Sequence, residues 1–325
     1  VTARCRLPNP KCFARVARFG SKMIRTWPID ESLEGERCDV ALARLTGESR
    51  AACVTLLEEK RVTLNGKVAQ KSARLAFGDV VEVDLPDPDM YEAEPTVELP
   101  IVFEDDSFVV IDKPAGVAAH PSQGWSGPTV TGSLTAMGTV LTSFGPSERK
   151  GIVHRLDVGT SGLMVVTKSE RAYVSIKDQF RDRTVDKIYH TLIQGRLDPI
   201  NGTIDAPIDR HPSSSYRFAI MSGGRPSITH YDTLESFAYA SLLEVHLETG
   251  RTHQIRVHMS GLRHPCCGDL TYGADPTVAA KLKLDRQWLH AVRLGFEHPV
   301  SGERVTFHSE YAPDLAKSLE LARNL

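Results

Sequence analysis

Between residues 101 and 313, strand-like runs follow one another with too few helical patterns to separate them, and this limits the fold more than any other feature of the chain. β-branched and aromatic runs stand at 108–111, 163–167, 188–194, 241–247 and 304–307, while helical spacing is confined to 170–181 and a segment around 277–284. A doubly wound parallel sheet needs a crossover helix after nearly every strand. The pattern therefore predicts an α+β domain on one large mixed or antiparallel sheet.

A different rhythm occupies residues 26–86. Apolar residues three and four apart at 40–45 and 51–57 predict two short amphipathic helices, the second with Ser49 as its N-cap. Asn65-Gly66 after Val62-Thr63-Leu64 is a hairpin signal, and Val80-Val81-Glu82-Val83 follows a Gly78-Asp79 turn. Two helices and a small sheet make a separate αα-β domain. Residues 87–100 are acidic and proline-rich, which predicts an extended spacer and not a contact surface. Residues 314–325 are expected to form a C-terminal tail.

The net charge of −2 conceals opposed segments. Residues 1–25 carry seven Lys/Arg and no acid, whereas 84–106 carry nine Asp/Glu and no base. A polyanionic partner must then be met by local clusters, and 149–190, with nine Lys/Arg against five acids, is one. The basic extension, 1–25, is expected to be disordered: up to residue 22 it has no helical or strand period, and it contains Pro8 and Pro10. It lacks the apolar stretch of about seven residues that a secretory signal requires, and its Arg-rich composition also fits a transit peptide. The preferred reading is an upstream extension with Met23 as the true first residue. No apolar run approaches the roughly 18 residues that would cross a bilayer. Six cysteines without framework spacing, two of them adjacent at Cys266-Cys267, predict free thiols and a cytoplasmic location.

His154-Arg155-Leu156-Asp157 leads into Val158-Gly159-Thr160-Ser161-Gly162 and then an apolar run. A carboxylate at such a turn, two positions after an arginine, is set to be half-buried yet ionised, as a carboxylate nucleophile must be. The same residue type in the same place equally serves as a turn former bonded to its own backbone. Downstream come Lys187-Ile188-Tyr189 and the run from Thr249-Gly250-Arg251 through Thr252-His253-Gln254-Ile255-Arg256 to Val257-His258. Upstream lies Lys113-Pro114-Ala115-Gly116-Val117 with His120-Pro121.

In this order, these elements make the region from about 100 to 313 resemble the RluA-type family of RNA pseudouridine synthases. The first domain, with Arg37, Asp39, Ser49, Arg50 and the Asn65-Gly66-Lys67 turn, is similar to the S4 RNA-binding domain. The resemblance implies a bent central sheet crossed by an RNA cleft. It also implies an isomerisation that breaks the N1–C1′ bond of a uridine, turns the uracil and rejoins it through C5, without cofactor or metal. Asp157 is then the essential carboxylate, acting on C1′, on the base, or by abstracting a sugar proton. Arg256 pairs with it, and Tyr189 lies against the uracil and handles the proton at C5. Because uracil in folded RNA is stacked, the nucleotide must be extruded, and Arg155 is implied to fill the vacated stack. Arg251 and His253, within about one helical turn of Arg256, would line the same cleft. Arg50 would face structured RNA.

Plainer readings exist for each residue: Tyr189 as a core tyrosine, Arg155 as a local ion-pair former, the first domain's charges as simply solvated. Asp209 to Arg217, with Gly223-Gly224-Arg225, reads as a long basic loop, either an arm closing on RNA or plain disorder. Gly159 stands where the family frequently has an acid, and Arg225-Pro226-Ser227 varies a loop. The His253, His258, His264, Cys266 and Cys267 cluster raises a metal-dependent hydrolase, but its spacing fits no zinc pattern. A non-catalytic RNA-binding protein is the other rival, against which Asp157, Tyr189 and Arg256 are all in place. The S4-like domain favours the large-subunit (23S) ribosomal RNA branch, with tRNA as the alternative substrate and a monomer as the expected state.

Overall fold

The computed structural model describes residues 15–19, 22–46, 50–85, 95–122, 125–144, 149–214 and 216–324. They divide near residue 93 into two compact units.

The first unit holds the two predicted helices, α1 (Cys38–Thr46) and α2 (Arg50–Glu58). Strands β1 (Arg15–Phe19), β2 (Lys22–Pro28), β3 (Val62–Leu64), β4 (Lys67–Val68) and β5 (Val80–Leu85) form a sheet in the order β1-β2-β5-β3-β4. The Asn65-Gly66 turn joins β3 to β4 with both residues at positive φ, 51° and 77°, the geometry that makes this dipeptide a hairpin turn. Trp27, Leu42, Cys53, Leu57 and Val83 belong to a core of the unit's own. One expectation changes. Arg15–Phe19 pairs antiparallel with β2, so the basic extension is not irregular throughout; the reading of residues 1–14 and of Ser49 as a cap lies outside the described residues.

The second unit is α+β, as the strand pattern predicts. Its strands are β6 (Ile101–Glu104), β7 (Phe108–Lys113), β8 (Ser161–Thr167), β9 (Asp186–Gln194), β10 (Asn201–Asp205), β13 (Ile228–Ser236), β14 (Ala240–Leu247), β15 (Leu289–Glu297) and β16 (Arg304–His308). They form one nine-stranded mixed sheet in the order β10-β13-β14-β9-β15-β8-β7-β6, with β16 on β15. Only β8 and β15 pair in parallel, and Gly162 is what lets them approach: a Cβ there would lie 2.4 Å from Ala291 O. Central strands are covered on both faces. Val109, Ile111, Met164 and Val166 belong to one core, while the alternate residues Phe108, Val110, Leu163 and Val165 belong to another, the period of two that a pleated strand imposes. Helices α3 (Val130–Ala136), α4 (Glu170–Arg181), α5 (Gln254–Gly261), α6 (Pro276–Lys281) and α7 (Pro313–Asn324) complete the unit.

Three further expectations are corrected here. The long basic loop is in part a hairpin, β11 (Ile208–Arg210) with β12 (Phe218–Ile220). The expected spacer is not free of contacts at its described end, since Leu99 is buried and Val97 N–H donates to Ser133 Oγ at 3.2 Å. The C-terminal tail is helix α7, which sinks Leu315, Leu319 and Ala322 into a core with Trp288. Among the described residues, no helix is long and apolar enough to cross a membrane.

Candidate active site

Asp157 stands on the turn into β8, where Thr160 N–H closes onto Asp157 O at 3.0 Å and leaves the carboxyl group free to face a pocket. The turn is held from three sides. Gly116 N–H donates to Val158 O at 2.8 Å, and the fully buried Lys113 ammonium donates to Pro114 O and Val117 O at 2.9 Å and to Val158 O at 3.4 Å. Burial pushes Lys113 down to about 7 against the pull of Asp157. From the third side Arg286 donates through Nη1 to Gly159 O at 2.9 Å, its other nitrogens being gripped by Asp314 at the start of α7.

The cation beside Asp157 is Arg256, not Arg155. Arg256 Nη1 donates to Asp157 Oδ2 at 3.2 Å from 99 residues away, while Arg155 is exposed at the pocket mouth. Arg256 projects from α5, whose first residue, Gln254, is buried and ties the preceding loop to β13. Its amide donates to Ile228 O and Thr229 Oγ1 and accepts from Thr249 Oγ1 and Arg251 N–H. Arg256 also makes a bidentate pair with the buried Asp269, Nε to Oδ2 at 2.6 Å and Nη2 to Oδ1 at 2.9 Å. Burial works against its charge, but Asp269 and Asp157 outweigh it and push its pKa up. The Tyr272 ring lies under the guanidinium, 4.9 Å from its carbon.

Tyr189, on β9, lines the same pocket and is buried, which together with the Asp157 charge pushes its phenol up and keeps it protonated. His253 stands at φ 57° just before α5 and not on it. Its Nδ1 is 2.7 Å from Tyr272 OH and its Nε2 is 4.0 Å from Asp157 Oδ2. Burial lowers its pKa, so the ring is neutral near pH 7. Tyr272 OH also accepts Phe218 N–H at 3.0 Å, which fastens the β12 strand to the pocket wall. The other residues of the supposed metal cluster have separate partners: His258 bonds Thr229 Oγ1 and Ala206 O, and His264 bonds Gln194 O.

The model of the RNA pseudouridylate synthase family matches residues 107–261, and that of the S4 domain matches 36–81. A Mycobacterium tuberculosis protein named as an uncharacterized RNA pseudouridine synthase is 56% identical over 302 residues, 92% of this chain and 98% of its own. The chain belongs to the RNA pseudouridine synthase family. Ribosomal large subunit pseudouridine synthase D of Nitrosomonas europaea is 40% identical over 306 residues, 91% of this chain and 87% of that one. Human RNA pseudouridylate synthase domain containing 1 superposes with a TM-score of 0.55 at 28% identity, over 69% of this chain and 88% of that one. The protein is thus a pseudouridine synthase, an isomerase with an S4 domain and RNA as its partner.

In this synthase Asp157, Arg256, Tyr189 and His253 converge on one pocket, with Arg155 and Arg251 lining it. Arg50 is elsewhere, in the S4 domain, where it donates to the buried Asp39 at 2.8 and 3.0 Å alongside Arg37. Sequence reasoning missed Lys113 as a strut, and missed Asp269 and Tyr272 altogether. The one signal for the last two was Gly268-Asp269 shortly before Tyr272-Gly273, a pair of left-handed glycines bracketing an acid and an aromatic.

Proposed function

We propose that the protein converts uridine to pseudouridine in large-subunit (23S) ribosomal RNA, with Asp157 as the carboxylate that acts on a flipped-out nucleotide. The observation that carries this reading is the pairing of Asp157 with Arg256 at 3.2 Å inside a pocket that also holds Tyr189. An anion kept at the edge of a low-dielectric pocket by a fixed cation keeps its nucleophilic form without reorganising. The pocket at Asp157 is small, about 90 Å³, so a base reaches it only after leaving its stack. Arg155, exposed at the mouth, is suited to occupy the gap left behind. Tyr189, protonated, supplies a hydroxyl and a ring face to the uracil. The S4 domain, and relatives named for the ribosomal large subunit, favour rRNA over tRNA. We read the enzyme as a cytoplasmic monomer, the location in keeping with the buried, reduced thiols of Cys38, Cys53, Cys266 and Cys267.

Tritium release from 5-tritiated uridine tests the assignment with large-subunit rRNA and tRNA transcripts in parallel. The wild type should release tritium from the rRNA, and Asp157→Asn from neither, while binding RNA within a few-fold of wild type. Turnover by Asp157→Asn would remove the carboxylate role, and release from tRNA alone would replace the substrate.

A further inference from the structure

Beside the Asp157 pocket opens a larger cleft of about 580 Å³, and the two share Arg155, Tyr189 and Arg251 in their walls. Its floor includes Lys187. On β9 this lysine is two residues from Tyr189, so the pleat turns both side chains to the same face of the sheet. Lys187 is 8% exposed. Among the described residues its ammonium, with three protons to donate, makes no hydrogen bond or close ion pair, feeling Asp186 only at longer range; it stands 5.8 Å from the centre of the Phe180 ring. The adjacent carboxylate, Asp186, is committed to Arg293 at 2.9 Å.

A buried cation left without a direct ion pair costs free energy that a ligand can return. The rest of the cleft makes that ligand negative. Arg149, Lys177, Arg181 and Arg183 line it, and the one carboxylate in its wall among the described residues, Glu248, is already held by Arg183 at 3.2 Å and sits 2.9 Å from His230 Nε2. Arg181 is likewise taken, by Asp178 and Asp182. The positive charge in this cleft without an acidic partner among the described residues therefore lies at Lys187, Arg149, Lys177, Arg155 and Arg251, with Lys187 the buried one, next to where the uridine enters.

From this geometry we propose that Lys187 is a phosphate-binding residue: it takes a backbone phosphodiester of the RNA near the flipped uridine, with Arg149 and Lys177 at the rim of the same subsite. The proposal rests on the reading that the uridine enters at Asp157. A contiguous anion at that distance along an RNA strand is its own phosphate, and the interaction fixes the strand without reading its bases.

The test is the salt dependence of binding to a large-subunit rRNA transcript. Each phosphate contact contributes about 0.7–0.9 to the slope of log affinity against log salt. Lys187→Met keeps the length and apolar stem of the side chain and removes the charge; its slope should be shallower than wild type by about that amount. Over a fourfold rise in salt, the wild type should then lose about threefold more affinity than the variant. Lys187→Arg should retain the wild-type slope, as should Lys317→Met on the exposed side of α7. If Lys187→Met fails to fold by thermal unfolding, Lys187→Gln takes the same measurement and must show the same fall. A neutral variant with the full wild-type slope overturns the proposal. Tritium release by Asp157→Asn tests the reading at Asp157 separately and leaves the slopes unaffected.

Discussion

Asp269 occupies two of the three Arg256 nitrogens, at 2.6 and 2.9 Å, and leaves Nη1 as the one that reaches Asp157. The planar fork of a guanidinium cannot turn once two of its donors are fixed, so the buried acid sets the direction of the third. Asp269 is a positioning residue that acts through Arg256.

Asp269→Asn should therefore lower the single-turnover rate on the order of 10- to 100-fold, the size seen when an orienting partner behind a functional group is lost. RNA affinity should stay within a few-fold. Asp269→Ala, which strands the buried cation, should also cost about 3–5 kcal/mol of stability. Unimpaired turnover in a folded Asp269→Asn protein would show that Arg256 is aimed by something else.

Arg286 links Asp314 of α7 to the Gly159 carbonyl of the turn that carries Asp157. Asp314→Asn should weaken that clamp and slow turnover while leaving global unfolding nearly unchanged, because Asp314 is exposed and its pair is partly solvated. Arg286→Met should do more, since it also removes the donor to Gly159 O. Equal rates for both variants and the wild type, in single-turnover assays, would separate the clamp from catalysis.

The ring of His290 is fully buried, with Nδ1 on Ser161 Oγ at 2.8 Å and Nε2 on Ser309 Oγ at 3.0 Å. Burial, then the Arg286 charge, bring its pKa from 6.5 down to about 4. Above 6.5 the ring is neutral whether folded or not, so its contribution is constant. As pH falls from 6.5 to about 4, the unfolded chain gains a proton that the fold refuses, and stability drops by about 2–3 kcal/mol through this group. Urea midpoints should fall across that window, and His290→Asn should flatten part of the fall. An unchanged pH slope in the variant would remove His290 from the account.

The S4 domain has a core of its own. Removing residues 1–93 should leave a folded unit that still releases tritium from short RNAs but binds large rRNA more weakly, with a shallower salt slope. Equal affinity at several salt concentrations would exclude the domain from RNA binding.

The sequence was most legible where one local signal governs. Helix α4 reads from its period, and β7 and β8 read as continuous apolar runs because both faces are buried. β15 carries His290 and Arg293 inside the sheet, so its pattern is broken by polar residues whose partners lie far off in sequence. Helix α7 is expected as a tail although Leu315, Leu319 and Ala322 have helical spacing, because the core they enter, with Trp288, comes from elements elsewhere in the chain. At the site, Asp157 and Arg256 were readable through their motifs. Asp269 was not, since its role depends on a partner 13 residues back, and no periodicity joins a loop acid to a helix arginine. Arg50 shows another limit: two of its nitrogens hold Asp39, a partner that its place in the sequence does not announce.

The grip of Asp314 on Arg286 also joins distant stretches of chain. Asp314 holds Arg286 across 28 residues and Arg286 reaches Gly159 across 127, so the turn that carries Asp157 and helix α7 are braced through one guanidinium. Any loosening of α7 is thereby passed to the Gly159 carbonyl through a single side chain.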